Sequence, residues 1–227
     1  GWWPAAAVAA ALPLALLAWQ RRRRPPASAR TGRDSADADP VSGLPTRAAF
    51  EDALDEAVHQ CDTHHTSLTL VYLGLDNFRL VNEAYGHAVG DRLLAQVPDR
   101  LRRAVPGLIS ATRNAGDEFI LALPGGRDTA LQAAAALREQ LRRPFRVDGH
   151  DLSVDTSMGL ALYPQHGARQ RLQTQAAAAM RTVKQAGGGA WAEFEPAMGV
   201  DMREQAELLC DLRHAVERGE LQLLYRP

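Results

Sequence analysis

The chain has 227 residues, of which 46% are hydrophobic and 23% are charged, and its formal net charge is −1. This composition is typical of a globular protein and excludes collagen-like, intrinsically disordered and disulfide-framework proteins. Six arginines and no acidic residue lie within residues 1–33, so the rest of the chain is acidic, with 20 of the 26 basic residues and all 27 acidic residues. An acidic body disfavours a nucleic-acid partner, because domains that bind nucleic acid usually present a basic face to the phosphates.

Residues 2–19 form an uncharged apolar segment, WWPAAAVAAALPLALLAW. As a helix, 18 residues span roughly 27 Å, close to the thickness of a bilayer core. Tryptophans lie at both ends, and the run Arg21–Arg24 follows directly, which marks that side as cytoplasmic. The segment predicts a transmembrane helix over 1–20. A buried alanine-rich helix is the alternative, whereas a signal peptide would carry its charges before the apolar run.

The domain organisation follows from shifts in composition. Because the chain opens on Gly1 and not on Met, we expect the membrane helix to be the last of a membrane region. Residues 21–38 are rich in Arg, Pro, Ser, Ala and Asp without apolar periodicity, which is typical of a linker. This basic juxtamembrane linker places the start of the folded domain near Asp39, in the cytoplasm at the inner membrane.

Beyond the linker, the apolar spacing alternates between helical and extended periods. In chain order it predicts a helix over 46–60, a strand over 67–75, a helix over 87–104, strands over 108–113 and 118–123, a helix over 127–143, a hairpin-like pair over 144–148 and 151–163, and a helix over 171–186. Strands interleaved with helices indicate an α/β or α+β sheet with helices packed on it. Pro98 predicts a kink or a restart of its helix.

Two adjacent carboxylates, Asp117 and Glu118, follow Gly116 at a turn between two extended segments. Neighbouring strand residues point to opposite faces, so the two acids would have different roles unless the turn brings them together. Taken alone, the pattern fits a solvated hairpin turn as well as a site with chemistry. The rest of the chain distinguishes between these interpretations.

Five motifs occur in order along the chain. They are DPVSGLPTR at 39–47, LDNFRLVNEAYGH at 75–87 followed by Gly90-Asp91, AGDEF at 115–119, Ser157-Met158-Gly159 with Tyr163-Pro164, and Ala179-Met180 with Lys184. Together they resemble the GGDEF domain, the diguanylate cyclase family that condenses two GTP into cyclic di-GMP. The resemblance implies, for residues 39–197, a nucleotidyl-cyclase-like palm with a central, mostly antiparallel sheet flanked by helices.

The resemblance also implies where the nucleotide binds. Asn82 and Asp91 match the positions that read the guanine base, where an amide and a carboxylate can pair with its polar edge. The backbone N–H groups of Asn77 and Phe78, at the start of a helix, are expected to hold phosphate oxygens. The expected ligand is therefore GTP.

The triphosphate and metal contacts are implied in the same way. Arg79 and Lys184 would contact the triphosphate, although Lys184 also fits a solvated helix face. In the family, the position of Asp117 binds Mg²⁺ together with a backbone carbonyl, here that of Leu75. The position of Glu118 helps to activate the attacking ribose 3′-hydroxyl, which makes it the candidate catalytic residue.

Three departures from the family pattern converge on the triphosphate end. Gly74 stands where the family has a metal-binding Asp, Ala115 replaces the first Gly of the turn, and Gly188 replaces an Arg. Mg²⁺ would then have one protein carboxylate, that of Asp117, so we expect weakened Mg²⁺ binding. The pattern favours a degenerate domain that binds GTP. The alternatives are an active, homodimeric cyclase in which Asp76 or a water replaces the missing ligand, and a spacer that binds no nucleotide.

The last segment, 198–227, combines helical apolar spacing over 202–218 with a short extended stretch ending at Pro227. It resembles the opening helix and strand of the EAL phosphodiesterase domain, whose catalytic residues would lie beyond Pro227. A terminal helix and strand that complete the preceding domain is the alternative. The expected function is therefore regulation of a following EAL domain by a membrane-tethered GGDEF domain.

Overall fold

The computed structural model describes residues 38–198, together with His214 and Arg218. The predicted membrane helix at 1–20 and nearly all of the linker at 21–38 lie outside the described residues. So does most of the segment 198–227, which resembles the start of an EAL domain. Among the helices that are described, none has both the length and the apolar character needed to cross a membrane.

The described domain alternates helices and strands. In chain order these are α1 (Arg47–His64), β1 (Leu68–Asp76), α2 (Phe78–Tyr85), α3 (His87–Ala104), β2 (Ser110–Ala115), β3 (Glu118–Pro124), α4 (Arg127–Arg142), β4 (Phe145–Val147), β5 (His150–Leu152), β6 (Asp155–Tyr163), α5 (Arg169–Gln185) and β7 (Trp191–Glu193). The predicted α/β fold with helices on a central sheet is confirmed.

The central sheet has the strand order β2-β3-β1-β6-β7. The first three pairings are antiparallel, and β7 runs parallel to β6, so the sheet is mixed. Strand β1 lies in the middle, where Gly74 pairs with Glu118 on one side and with Ser157 on the other. The end of β1 is therefore where the turn at 116–117 and the end of α5 can meet.

The two faces of the sheet support separate apolar cores. Side chains alternate along β1, so Val71, Leu73 and Leu75 pack against α3 and α4, while Leu70 and Tyr72 pack against α1 and α5. By this alternation Gly74 faces α5. Nearly all of β1 is buried, which explains why its sequence is a continuous apolar run.

Several element predictions need correction. The extended segment predicted over 151–163 is two strands, because β5 pairs with β4 while β6 joins the central sheet. Helix α3 continues through Pro98 to Ala104 and does not restart there; Val97, Pro98 and Leu101 are buried in the core. Strand β7 was not predicted, since three residues are too few to show a period.

Candidate functional site

A groove of about 400 Å³ opens at the end of β1, between α2, the start of α3 and the turn that joins β2 to β3. The residues that line it are Phe78, Arg79, Asn82, Glu83, His87, Gly116 and Asp117. Four predicted site residues are thus brought together: Phe78, Arg79, Asn82 and Asp117. The side chains of Asp91, Glu118 and Lys184 are not part of this lining.

The N-terminus of α2 supports the predicted phosphate contact. Asn77 adopts a left-handed conformation with φ of 57° and caps α2 without a side-chain hydrogen bond. The first N–H groups of a helix have no partner within the helix and carry a partial positive charge. A phosphate oxygen at Asn77 and Phe78 would satisfy them.

The position of Asn82 depends on Gly90. A Cβ atom at Gly90 would lie 2.0 Å from Oδ1 of Asn82 and 3.0 Å from Cζ of Phe78, so α2 crosses α3 at a point where only glycine fits. The absence of a side chain at Gly90 leaves the space that the Asn82 amide occupies beside the groove. Asp91 follows on the exposed surface of α3.

Arg79 is paired within its own helix. Its Nε lies 2.6 Å from Oε1 of Glu83, one turn further along α2, and 89% of the Arg79 side chain is exposed. Such exposed pairs contribute only about 0.2–1 kcal/mol. Arg79 can therefore exchange Glu83 for a phosphate at little cost.

Glu118 is held by a tyrosine that the sequence did not single out. The Tyr72 hydroxyl donates to Oε2 of Glu118 at 2.7 Å and accepts from Nδ2 of Asn114 at 2.7 Å. Burial and the hydrogen bond to Glu118 raise the pKa of Tyr72, so the hydroxyl remains a donor. No sequence signal links these residues, because Tyr72 and Glu118 are 46 positions apart and meet through the pairing of β1 with β3.

Asp117 lies at the point where the turn meets β1. The Leu75 N–H donates to the Asp117 carbonyl at 3.2 Å, which ties the turn to the central strand. The pKa of the Asp117 carboxyl is raised, chiefly by burial and further by the carboxylates of Glu118 and Asp76. The charge of Lys184 opposes this shift. Lys184 therefore supplies positive charge to an otherwise acidic corner.

Lys184 reaches across Gly74. A Cβ atom built on Gly74 would lie 2.7 Å from Nζ of Lys184, 2.9 Å from its Cε and 3.5 Å from Sδ of Met180. Lys184 lies in the last turn of α5, and Gly74 is buried in β1. The ammonium thus lies over the backbone position at which the resemblance to the GGDEF domain implies a carboxylate.

Asp76 is engaged by the loop that follows α5. Its carboxylate accepts hydrogen bonds from Oγ of Ser157 at 2.8 and 2.9 Å and from the N–H of Gly189 at 2.8 Å. Gly188 has φ of 78°, and a Cβ atom there would lie 2.9 Å from Oδ2 of Asp76. Gly188 therefore allows the chain to turn closely around Asp76, and the Asp76 carboxylate stabilises that turn.

The donor set at this site offers a divalent cation fewer carboxylates than the resemblance implies. Mg²⁺ takes oxygen ligands in near-octahedral geometry, from one or two carboxylates together with substrate phosphates and water. Position 74 offers no side chain, and an ammonium lies over it. Across the described residues, no group of three or more His, Cys, Asp or Glu side chains is arranged to hold a metal.

Comparison with known proteins finds similar sequences over most of the chain. Residues 36–190, more than half of the chain, match the family model described as diguanylate cyclase, GGDEF domain. The chain is 36% identical over 191 residues to the bifunctional diguanylate cyclase/cyclic di-GMP phosphodiesterase MucR of Pseudomonas aeruginosa, covering 83% of this chain and 28% of MucR. It is also 36% identical over 194 residues to the cyclic di-GMP phosphodiesterase PdeR of Escherichia coli, covering 85% of this chain and 29% of PdeR.

A solved structure shows the same architecture. The GGDEF domain of TpbB, also named YfiN, from Pseudomonas aeruginosa superposes with a TM-score of 0.69 and 29% sequence identity, over 73% of this chain and 99% of that domain. The chain spans less than a third of the length of MucR and of PdeR. The fold, the order of the motifs and the family match agree, and the chain belongs to the GGDEF domain family of cyclic di-GMP signalling.

Proposed function

We propose that this domain binds GTP as a regulatory ligand and does not condense it into cyclic di-GMP. Domains of this family generally use GTP as substrate together with Mg²⁺. The observation that carries the proposal is the contrast within one site: Phe78, Arg79 and Asn82 line an open groove, while Gly74 provides no carboxylate. Phosphoryl transfer depends chiefly on positioned metal ions, whereas binding needs only the groove and its cations.

The groove offers a separate contact for each part of GTP. The Asn82 amide and, on the adjacent helix, the Asp91 carboxylate would pair with the polar edge of guanine. The N–H groups at Asn77 and Phe78 would hold phosphate oxygens, with Arg79 as a charged partner. A triphosphate extending from this helix end would reach towards Lys184.

The connection from α5 to β7 gives GTP a route to the rest of the protein. Lys184 lies in the last turn of α5, the turn at 187–189 binds Asp76 through Gly189, and β7 leads to residue 198. A ligand at Lys184 would bias the conformation of this turn if it bound one conformation more tightly. We propose that the responding element is an EAL domain beginning near residue 198, since MucR and PdeR are both named as phosphodiesterases.

The same proposal includes the location of the protein. The apolar segment 2–19 and the following run Arg21–Arg24 would anchor the chain in the inner membrane, with the GGDEF domain in the cytoplasm. GTP would be available to the domain on that side. The cyclase alternative requires a homodimer, because two GTP must meet.

Calorimetry with GTP and chromatography for cyclic di-GMP, on the same preparation of the full chain, test the proposal. We expect binding without product, loss of binding in Asn82→Ala, and unchanged binding in Glu118→Gln. The glutamine variant is the matched control, because Glu118 lies outside the groove lining. Unchanged binding in Asn82→Ala would contradict the proposed mode of binding.

An active cyclase is the second candidate, favoured by the fixed position of Glu118. The hydrogen bond from Tyr72 holds the carboxylate that the family uses on the ribose 3′-hydroxyl. Asp76 would have to give up its bonds to Ser157 and Gly189 to act as the missing metal ligand. Cyclic di-GMP formation that disappears in Glu118→Gln would establish this candidate and contradict the first.

A further inference from the structure

Helix α5 approaches the sheet closely enough to lay Lys184 over β1. A Cβ atom at Gly159 in β6 would lie 1.9 Å from the carbonyl oxygen of Ala176 and 2.3 Å from the N of Met180. Gly159 pairs with Tyr72, two residues before Gly74 in β1. Because Gly159 and Gly74 have no side chains, α5 packs closely on β6 and β1, and the end of Lys184 lies against Gly74.

Lys184 supplies positive charge at this corner, where the carboxylates of Asp117, Glu118 and Asp76 are negative. The positive charge of Lys184 acts on the carboxylate of Asp117, and position 74 contributes no negative charge. The carboxylate of Asp76 is already hydrogen-bonded to Ser157 and Gly189. An incoming triphosphate therefore meets an ammonium where a carboxylate at position 74 would repel it.

We propose that the Lys184 ammonium takes the place of a divalent cation at this site, so that a nucleoside triphosphate binds this domain without Mg²⁺. The inference rests on the proposed GTP binding in the groove. An ammonium is a compact point charge with three donors that binds phosphate oxygens directly. The simpler role of Lys184, as a cation in the last turn of α5 that interacts with the helix dipole, would affect stability alone.

The test compares GTP affinity by calorimetry in MgCl₂ and in EDTA, using the full chain. We expect the two dissociation constants of the wild type to agree within about threefold. Lys184→Gln should weaken binding in EDTA by about tenfold or more, because it removes a charge-assisted contact to phosphate. Lys184→Arg, which keeps the charge, should retain most of the affinity.

Position 74 supplies the opposite test. Gly74→Asp introduces the carboxylate, which the flexible end of Lys184 can accommodate by moving aside. We expect this variant to bind GTP about tenfold more tightly in MgCl₂ than in EDTA. Gly74→Asn has nearly the same size without the charge and should show no such preference for Mg²⁺.

A second measurement does not depend on the folding of any variant. Lys184 is the only lysine in the sequence, so an amine-reactive reagent can modify only its side chain and the α-amino group of the chain. With EDTA present, GTP should slow the labelling of Lys184, measured by mass spectrometry. The α-amino group serves as an internal reference, and its rate should not change.

The outcomes separate the two proposals. Wild-type binding that requires Mg²⁺, or GTP in EDTA that leaves the labelling rate of Lys184 unchanged, would overturn the ammonium proposal and leave regulatory GTP binding intact. Unaltered affinity of Lys184→Gln in EDTA would do the same. An absence of GTP binding in both buffers would overturn the proposed function and the ammonium proposal with it.

Discussion

The absence of a side chain at Gly90 determines where Asn82 lies. Glycine within a helix normally costs about 1 kcal/mol relative to alanine, so Gly90→Ala would stabilise α3 if propensity alone decided. Here the added Cβ atom would lie 2.0 Å from Oδ1 of Asn82. We expect Gly90→Ala to displace the amide and weaken GTP binding by about tenfold, measured by calorimetry.

Gly107→Ala is the control for this substitution. A Cβ atom at Gly107 would contact only Pro124, at 3.5 Å, an ordinary van der Waals distance. This variant should bind GTP like the wild type. Equal affinity of Gly90→Ala and wild type would show that the α2 to α3 contact does not position the base-reading side chain.

At the scale of elements, His166 links the end of β6 to β7. Its Nδ1 accepts a hydrogen bond from the Leu162 N–H at 2.9 Å, and its Nε2 lies 3.6 Å from Oε1 of Glu193. Burial lowers the pKa of His166 below its ordinary value of 6.5, and Glu193 opposes this shift. The effect of burial is the larger of the two, and the hydrogen bond is consistent with it, because only the neutral ring can accept at Nδ1 from the backbone.

This shift predicts how stability depends on pH. Since the pKa is lower in the folded state, the unfolded state binds the proton first as the pH falls below 6.5. The contribution of His166 is complete above that pH and is lost as the pH falls through its folded pKa. Urea unfolding from pH 7.5 to pH 5 should show this decline in the free energy of unfolding.

The variant His166→Asn tests the assignment. Its side-chain carbonyl can accept from the Leu162 N–H but does not titrate. We expect a shallower decline in the free energy of unfolding below pH 6.5 than in the wild type. An identical pH profile in the two proteins would exclude His166 as the source of the decline.

At the scale of the whole molecule, the turn at 187–189 connects the end of β1, beside the candidate site, to β7 and the chain that continues to residue 198. Gly189 hydrogen-bonds Asp76 at the end of β1, and β7 begins two residues later. If GTP reaches Lys184, we expect slower amide hydrogen exchange over residues 187–193 on addition of GTP. Mass spectrometry of the full chain would measure this protection.

Asn82→Ala provides the control for hydrogen exchange, since it removes the proposed base contact and leaves the turn at 187–189 intact. No protection of that turn should appear in the variant. Protection confined to α2 and residues 115–117 in the wild type would contradict transmission through β7, although it would still agree with GTP binding in the groove.

Local patterns were sufficient to locate most elements. The strand predicted over 67–75 is β1, shifted by one residue, because a strand buried on both faces carries a continuous apolar run. The helix at 87–104 was predicted at its observed bounds. The split between β5 and β6 and the strand β7 were missed, because pairing partners, not local periodicity, define such short strands.

The sequence by itself determined the family, through five motifs in order, and it singled out four of the seven residues that line the groove. Only the tertiary structure decided three contacts: Tyr72 with Glu118, Gly90 with Asn82, and Lys184 over Gly74. The residues of each contact are separated along the chain, and only the packing of the folded chain brings them together. A motif reports which residue types are present, whereas strand register and the close approach of helices decide which side chains meet. From the sequence, Gly74 indicates only that a metal ligand is missing. The structure shows that the Lys184 ammonium lies over this position.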